Sequence, residues 1–232
     1  MSHVLTPPKS ALKPRPWLLF SSSTGQTFKN FYQRLDRESQ DSLVGFFTDR
    51  PCAAATLARQ VLHETPVYQL DRKSFETFML DWIEKKRSER REFEDAVVFL
   101  CGFFGILSKE FLDACPFPVL NTHPTLLPSF PGLDHKVQRK AWETVSVSGF
   151  TVHMVDETLD GGPIVFQQPV SMDPSWTEDE ARNAVRETEQ RWLPYVWSYI
   201  LRSSLQKSDV KLTSRELRLK HNFHFKSFME AR

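Results

Sequence analysis

The chain has little cysteine: Cys52, Cys101 and Cys115 are its only three, odd in number and without any CxxC spacing. A disulfide framework is therefore excluded, and so is a zinc site built on paired thiolates. Reduced thiols in a cytoplasmic protein fit the pattern. No run of about 18 apolar residues occurs, so no transmembrane helix is expected. An excess of charge is missing too. Thirty Lys and Arg against 29 Asp and Glu leave +1 over 232 residues, which removes the bulk electrostatic grip of a nucleic-acid binder. The start carries Pro7, Pro8, Lys9, Lys13, Pro14, Arg15 and Pro16, with no apolar core for a signal peptide. Residues 1–16 read as a flexible N-terminal tail. What remains suits one domain.

Short apolar runs alternate with helical periodicity. Strands are expected at 17–20, 43–48, 67–70, 96–100, 118–121, 149–155 and 164–170. Phe28, Phe31 and Leu35 mark one helix face, residues 53–64 give another helix, and Phe75, Phe78, Met79, Trp82 and Ile83 recur at helical spacing. Ser108 can cap a helix over 109–115. Thr177-Glu178-Asp179-Glu180 is a capping box that opens a long helix to about residue 202, bent near Pro194. The 96–100 strand is apolar throughout, as a central parallel strand requires. This order implies an α/β fold with a doubly wound, mostly parallel sheet. Residues 17–205 form the domain, split into a nucleotide-fold half (17–115) and a second half (116–205) that carries the chemistry. The basic, aromatic stretch 206–232 reads as a solvated C-terminal extension. Its His221-x-x-His224 pair lacks a third ligand, and no metal site is assigned.

The informative stretch lies at 118–163. Asn121 and His123 stand at the carboxyl end of a short strand, and residues two apart share a face there. A proline-rich loop with Pro124, Pro128 and Pro131 follows, then a helical segment, then an alternating strand. Asp160 comes last, in a Leu-Asp-Gly-Gly-Pro turn. Strand ends are where open α/β sheets build sites. An amide can donate to an oxyanion, an imidazole can carry a proton, and a carboxylate can orient and charge that imidazole. Together they suit attack of a nucleophile on a carbonyl. His153, on the alternating strand, reads as a buried support for this group.

Two motifs carry a resemblance: Asn121-Thr122-His123-Pro124-Thr125-Leu126-Leu127-Pro128-Ser129-Phe130-Pro131-Gly132, and Thr151-Val152-His153 followed by Leu159-Asp160-Gly161-Gly162-Pro163. In this order, about a helix and a strand apart, they resemble the folate-dependent formyltransferases, most nearly the glycinamide ribonucleotide branch. The resemblance implies a Rossmann-like formyltransferase fold and a catalytic trio of Asn121, His123 and Asp160. It implies a reduced-folate pocket at Phe104, Ile106 and Leu107, with Asp156 and Thr158, and a cis Leu127–Pro128 bond. It implies 10-formyltetrahydrofolate as donor and a small-molecule primary amine as acceptor, in purine biosynthesis and one-carbon metabolism. Substrate contacts fall at Ser22, Ser23, Gly25, Gln26 and Thr27, and at Arg72 and Glu189.

Two departures stand out. Gly105 occupies a position where an Arg is common in the family. The first loop is Ser21-Ser22-Ser23-Thr24-Gly25-Gln26-Thr27, where the family has a glycine-rich turn for phosphate. Hydroxyls and backbone at a helix start can still meet an anion, but one glycine gives the backbone less freedom to wrap it.

Other readings stay open. An amino sugar or an aminoacyl-tRNA could be the acceptor, although a tRNA formyltransferase is expected to show Arg after Leu-Leu-Pro and a further barrel domain. A 10-formyltetrahydrofolate hydrolase would need an N-terminal regulatory domain that residues 1–16 cannot form. A catalytically idle folate-binding domain is the reading from another class. No membrane or nucleic-acid partner is expected, and monomer and homodimer are both open.

Overall fold

The computed structural model describes residues 12–132, 134–221 and 223, with Asp134 and His135 described in backbone only. In chain order the elements are β1 (Trp17–Phe20), α1 (Gln26–Tyr32), α2 (Arg37–Asp41), β2 (Leu43–Thr48), α3 (Ala53–Val61) and β3 (Val67–Gln69). Then come α4 (Phe75–Glu89), β4 (Val97–Leu100), α5 (Lys109–Ala114), β5 (Val119–His123) and α6 (Asp134–Thr144). β6 (Val147–Met154), β7 (Ile164–Ser171), α7 (Glu178–Leu201) and α8 (Ser214–Lys220) complete the chain. Short 3-10 turns cover Arg91–Asp95 and Lys207–Lys211.

The seven strands order as β3-β2-β1-β4-β5-β6-β7. The first five are parallel, and β6 and β7 run antiparallel. The order reverses between β1 and β4. The carboxyl ends of those neighbours therefore flank the crevice where such sheets bind ligands.

Strand alternation sends side chains to two faces. Trp17 and Leu19 join Phe28, Phe31, Phe99, Leu120, Val152 and Trp197 beneath α1, α3 and α7. Leu18 and Phe20 join Phe47, Phe75, Met79, Trp82 and Phe111 beneath α4 and α5. Aromatic rings supply much of this volume. Trp197 stacks on Phe99 with centroids 4.2 Å apart and meets Trp17 edge-on at 5.5 Å.

Helix ends match their sequence signals. Ser108 accepts the Phe111 N–H, and Thr177 and Glu180 form the expected capping box. α7 carries Pro194 inside it. The short helix α2 is an addition to the sequence reading. Its Asp36 cap accepts from the Ser39 N–H and pairs with Arg202 at 2.9 Å. Burial works to raise the Asp36 carboxyl, but hydrogen bonds from Arg202, Ser198 and Ser39 outweigh it and hold it well below the usual carboxylate range.

Both tail expectations need correction. Arg15 is buried, its backbone N–H donates to the Leu201 carbonyl at 2.9 Å, and its guanidinium reaches the Leu205 carbonyl and Asp95. Pro16 accepts the Val97 N–H. The start of the domain is thus pinned from residue 15, while residues 1–11 lie outside the described chain. The stretch after 205 is docked as well. Leu205, Leu217 and Phe223 join the α7-side core, and Asp209 is buried against His221 at 2.7 Å and Lys220 at 2.5 Å. Basic composition hid the leucines that dock α8. His224 and most of the remaining tail fall outside the described residues.

Candidate active site

β5 and β6 place the chemistry. Their register sets Asn121 opposite His153 and His123 opposite Thr151. Burial works to lower the His153 pKa and so keeps the ring neutral. Its Nδ1–H is used on the Met154 carbonyl at 2.8 Å. The bare Nε2 can then only accept, and it faces Asn121 Nδ2 at 3.2 Å. This fixes the orientation of the Asn121 amide and leaves its second N–H free to donate.

His123 is 3% exposed. Its Nε2 donates to the Phe130 carbonyl at 2.9 Å, while Nδ1 faces Asp160 Oδ2 at 3.5 Å. That same carboxylate oxygen accepts the Gly132 N–H at 2.8 Å, and Oδ1 lies 3.7 Å from His153 Nε2. Asp160 thus ties His123 to the end of the proline-rich loop and lies beside His153 without bonding to its bare Nε2. Phe130 (φ 54°) and Asp160 (φ 53°) are the non-glycine residues with left-handed backbone among those described. Such conformations are uncommon and gather at functional sites. Behind Asp160, a Cβ on Gly162 would come within 2.0 Å of the Met154 carbonyl oxygen, so only glycine lets the turn close there. The Leu127–Pro128 bond is cis, as the resemblance implies.

These groups open onto a cleft of about 550 Å³, a volume suited to a small-molecule site. Asn121, His123, His153 and Asp160 line it together. One wall continues the α4–α5 core: Leu100, Phe103, Phe104, Ile106, Leu107 and Val155. Phe104 and Ile106 are 42% and 71% exposed, apolar surface that a flat ring could cover. Asp156 and Thr158 complete this end, with the Thr158 N–H donating to Asp156 Oδ1 at 2.8 Å. All five residues anticipated for a reduced-folate pocket line this cleft.

The opposite wall belongs to α1 and α7, and holds Ser23, Thr24, Gln26, Thr27, Arg186 and Glu189. Glu189 is buried and accepts from Thr122 Oγ at 2.5 Å. Three anticipated substrate residues do not line the cleft. Ser22 turns its hydroxyl inward to accept the Phe104 N–H at 2.8 Å. Gly25 has φ 78°, and a Cβ there would meet Ala54 Cα at 2.9 Å, so it serves the turn. Arg72 bonds Glu76 and the Ile106 carbonyl and lies 3.8 Å from Asp49. It braces the loop around Ile106 from behind.

Thr122 and Arg186 escape sequence reading. Thr122 points to the sheet face opposite its two functional neighbours, so the same-face rule passes over it. Arg186 precedes Glu189 by three residues on α7, a spacing that shares one helix face and could have signalled it. Among the described residues no cluster of three or more His, Cys, Asp or Glu could hold a metal ion, and no helix is long and apolar enough to cross a membrane. Cys101 and Cys115 are buried, and burial pushes the Cys115 thiol up to about 11.

Known proteins share this architecture. Phosphoribosylglycinamide formyltransferase of Bacillus subtilis is 30% identical over 191 residues, covering 81% of this chain and 95% of the relative. The Mycobacterium tuberculosis protein of that name is 32% identical over 196 residues, covering 83% and 87%. The crystal structure of phosphoribosylglycinamide formyltransferase from Bacillus halodurans superposes with a TM-score of 0.65 at 27% identity, over 81% of this chain and 95% of that one. With the formyl transferase family model matching residues 17–197, across the sheet and most of α7, the chain belongs to the formyl transferase family.

Proposed function

We propose that this chain transfers the formyl group of 10-formyltetrahydrofolate to the primary amine of glycinamide ribonucleotide, as a purine-pathway enzyme of the cytoplasm. One observation carries the reading: Asn121, His123 and Asp160 converge at the mouth of a single cleft with an apolar slot on one side and a polar wall on the other. The match to phosphoribosylglycinamide formyltransferases along nearly their whole length supports the choice of acceptor. The slot lined by Phe104, Ile106 and Leu107 fits a pterin-like ring, and the donor supplies the formyl carbon.

The residues divide the work. Asn121 aims its free amide N–H at the oxygen that gains negative charge when an amine adds to the formyl carbon, and such a fixed donor is among the larger catalytic contributions. His123 carries at Nδ1 the proton that the attacking amine loses and delivers it to the folate nitrogen as that nitrogen's bond to the formyl carbon breaks, because Nε2 is occupied by the Phe130 carbonyl. Asp160 opposes the imidazolium charge from 3.5 Å and holds the ring in place. His153 orients the Asn121 amide without entering the reaction. Ser23, Thr24, Gln26 and Thr27 meet the acceptor's phosphate side, and Glu189 its polar body.

A spectrophotometric assay with a 10-formyl folate donor and a panel of amines tests this. Glycinamide ribonucleotide should be formylated most efficiently. Preference for a phosphate-free amino sugar, or hydrolysis of the donor without any acceptor, would overturn the assignment.

A further inference from the structure

His123 and Asp160 both lean on one loop. The Phe130 carbonyl takes the His123 Nε2–H at 2.9 Å, and the Gly132 N–H meets Asp160 Oδ2 at 2.8 Å. Residues 124–132 must therefore hold their place closely, although they form neither helix nor strand. A single return bond inside the loop, from the Ser129 N–H to the Leu126 carbonyl, does not fix it to the sheet.

That anchor comes from β6 and β7, where Thr151 and Gln167 are register partners. Gln167 Nε2 donates to the Leu127 carbonyl at 2.7 Å and to Thr151 Oγ at 3.1 Å. Thr151 Oγ also accepts the Leu127 N–H at 3.0 Å. With both lone pairs of Thr151 taken, its own proton is directed to the Thr125 carbonyl at 2.7 Å. Thr125 Oγ in turn donates to the Ser129 carbonyl at 3.0 Å and, more weakly, to the Phe130 carbonyl at 3.3 Å. The bonds end on the same oxygen that holds His123. Thr125 and Thr151 are buried, so a broken link leaves a polar group unmet. Gln167 begins this chain, yet it is not among the residues that line the cleft.

We infer that Gln167 is a positioning residue for formyl transfer: from β7, through Leu127, Thr151 and Thr125, it holds the Phe130 carbonyl against His123. The inference rests on the proposed function and extends the machinery of turnover to a side chain outside the cleft. Linked hydrogen bonds of this kind act as a unit, so loss of the first loosens the last.

Steady-state kinetics on the full chain, with a 10-formyl folate donor and glycinamide ribonucleotide, tests this. Gln167→Met keeps the length of the side chain and removes its donors. It should lower kcat by about tenfold, within the range that a small misplacement of reacting groups costs, and leave both KM values within about twofold. Gln168→Met, next along β7 with its side chain on the opposite face, should keep the wild-type kcat. Thr125→Val cuts the same chain further on and should give the same kind of loss. The double variant Gln167→Met with Thr125→Val should be within about twofold of the slower single variant, because the links lie in series. Should Gln167→Met fail to fold, Thr125→Val carries the prediction by itself. An unchanged kcat, a loss confined to KM, multiplied losses in the double variant, or an equal loss in Gln168→Met would each overturn the inference while the proposed function stands. A wild-type chain that fails to formylate the ribonucleotide would refute the proposed function, and this inference with it.

Discussion

The two walls of the cleft are built by different means. On the side of Asn121, His123 and Asp160, each polar group is held by a protein partner: Asn121 by His153, His153 by the Met154 carbonyl, His123 by the Phe130 carbonyl, Asp160 by the Gly132 N–H. On the α1–α7 side the lining is hydroxyls, an amide and an uncommitted guanidinium, and Glu189 alone is locked from within. Chemistry that depends on geometry at the ångström scale needs groups fixed before the reaction begins. Recognition of a charged, freely tumbling substrate tolerates longer and more mobile contacts. Under the proposed function, the first wall would govern turnover and the second acceptor affinity.

Variants on each wall should fall into those two kinetic classes. The largest loss belongs to His123→Ala, which removes the proton carrier and should lower kcat by roughly 10²–10⁴-fold, with acceptor KM little changed. A rise in KM alone would move His123 from the first class to the second. Asp160→Asn keeps the hydrogen bond from Gly132 but takes away the negative charge facing His123. A fall in kcat on the order of tenfold or more is expected, together with an altered pH–rate profile. An unaltered profile at full rate would reduce Asp160 to a turn residue.

On the other wall, Ser23→Asp places a negative charge where the acceptor phosphate is proposed to lie. KM for glycinamide ribonucleotide should rise by about tenfold through like-charge repulsion, and kcat should hold. Ser23 is the better probe than Ser22, whose hydroxyl is structural. The smallest effect is on stability. His153 stays neutral in the folded state because of burial, whereas an unfolded histidine takes up its proton near pH 6.5. The unfolded chain therefore binds more protons as pH falls, and stability present above about pH 6.5 is lost below it. Thermal unfolding of His153→Gln should show a shallower decline between pH 6.5 and 5 than wild type. Parallel curves would mean that His153 is not the titrating group.

Much of this was legible in the sequence. Alternating apolar runs announced the strands, and the Thr177–Glu180 box fixed the start of α7, because both signals are local. That Asn121, His123 and Asp160 would meet in one cleft was legible because each sits in a dense motif, two at a strand end and one in a turn. The pairing of Asn121 with His153 was not, since it depends on the antiparallel register of β5 and β6, which no local pattern encodes. That Ser22, Gly25 and Arg72 lie off the cleft was hidden for a related reason. Each has the right chemistry for a ligand, and only the packed structure shows that chemistry already spent on Phe104, Ala54 and the Ile106 carbonyl. The docked stretch after residue 205 looked solvated because Leu217 and Phe223 are scattered among basic residues.

The claim that the catalytic wall acts on the transition state is tested most directly at Asn121. Donor affinity and turnover with glycinamide ribonucleotide should be measured side by side for wild type and Asn121→Ala. A fall in kcat of about 10²–10³-fold with nearly unchanged donor binding is expected for loss of one oxyanion donor. Near-normal turnover, or a loss expressed wholly as weaker donor binding, would contradict it.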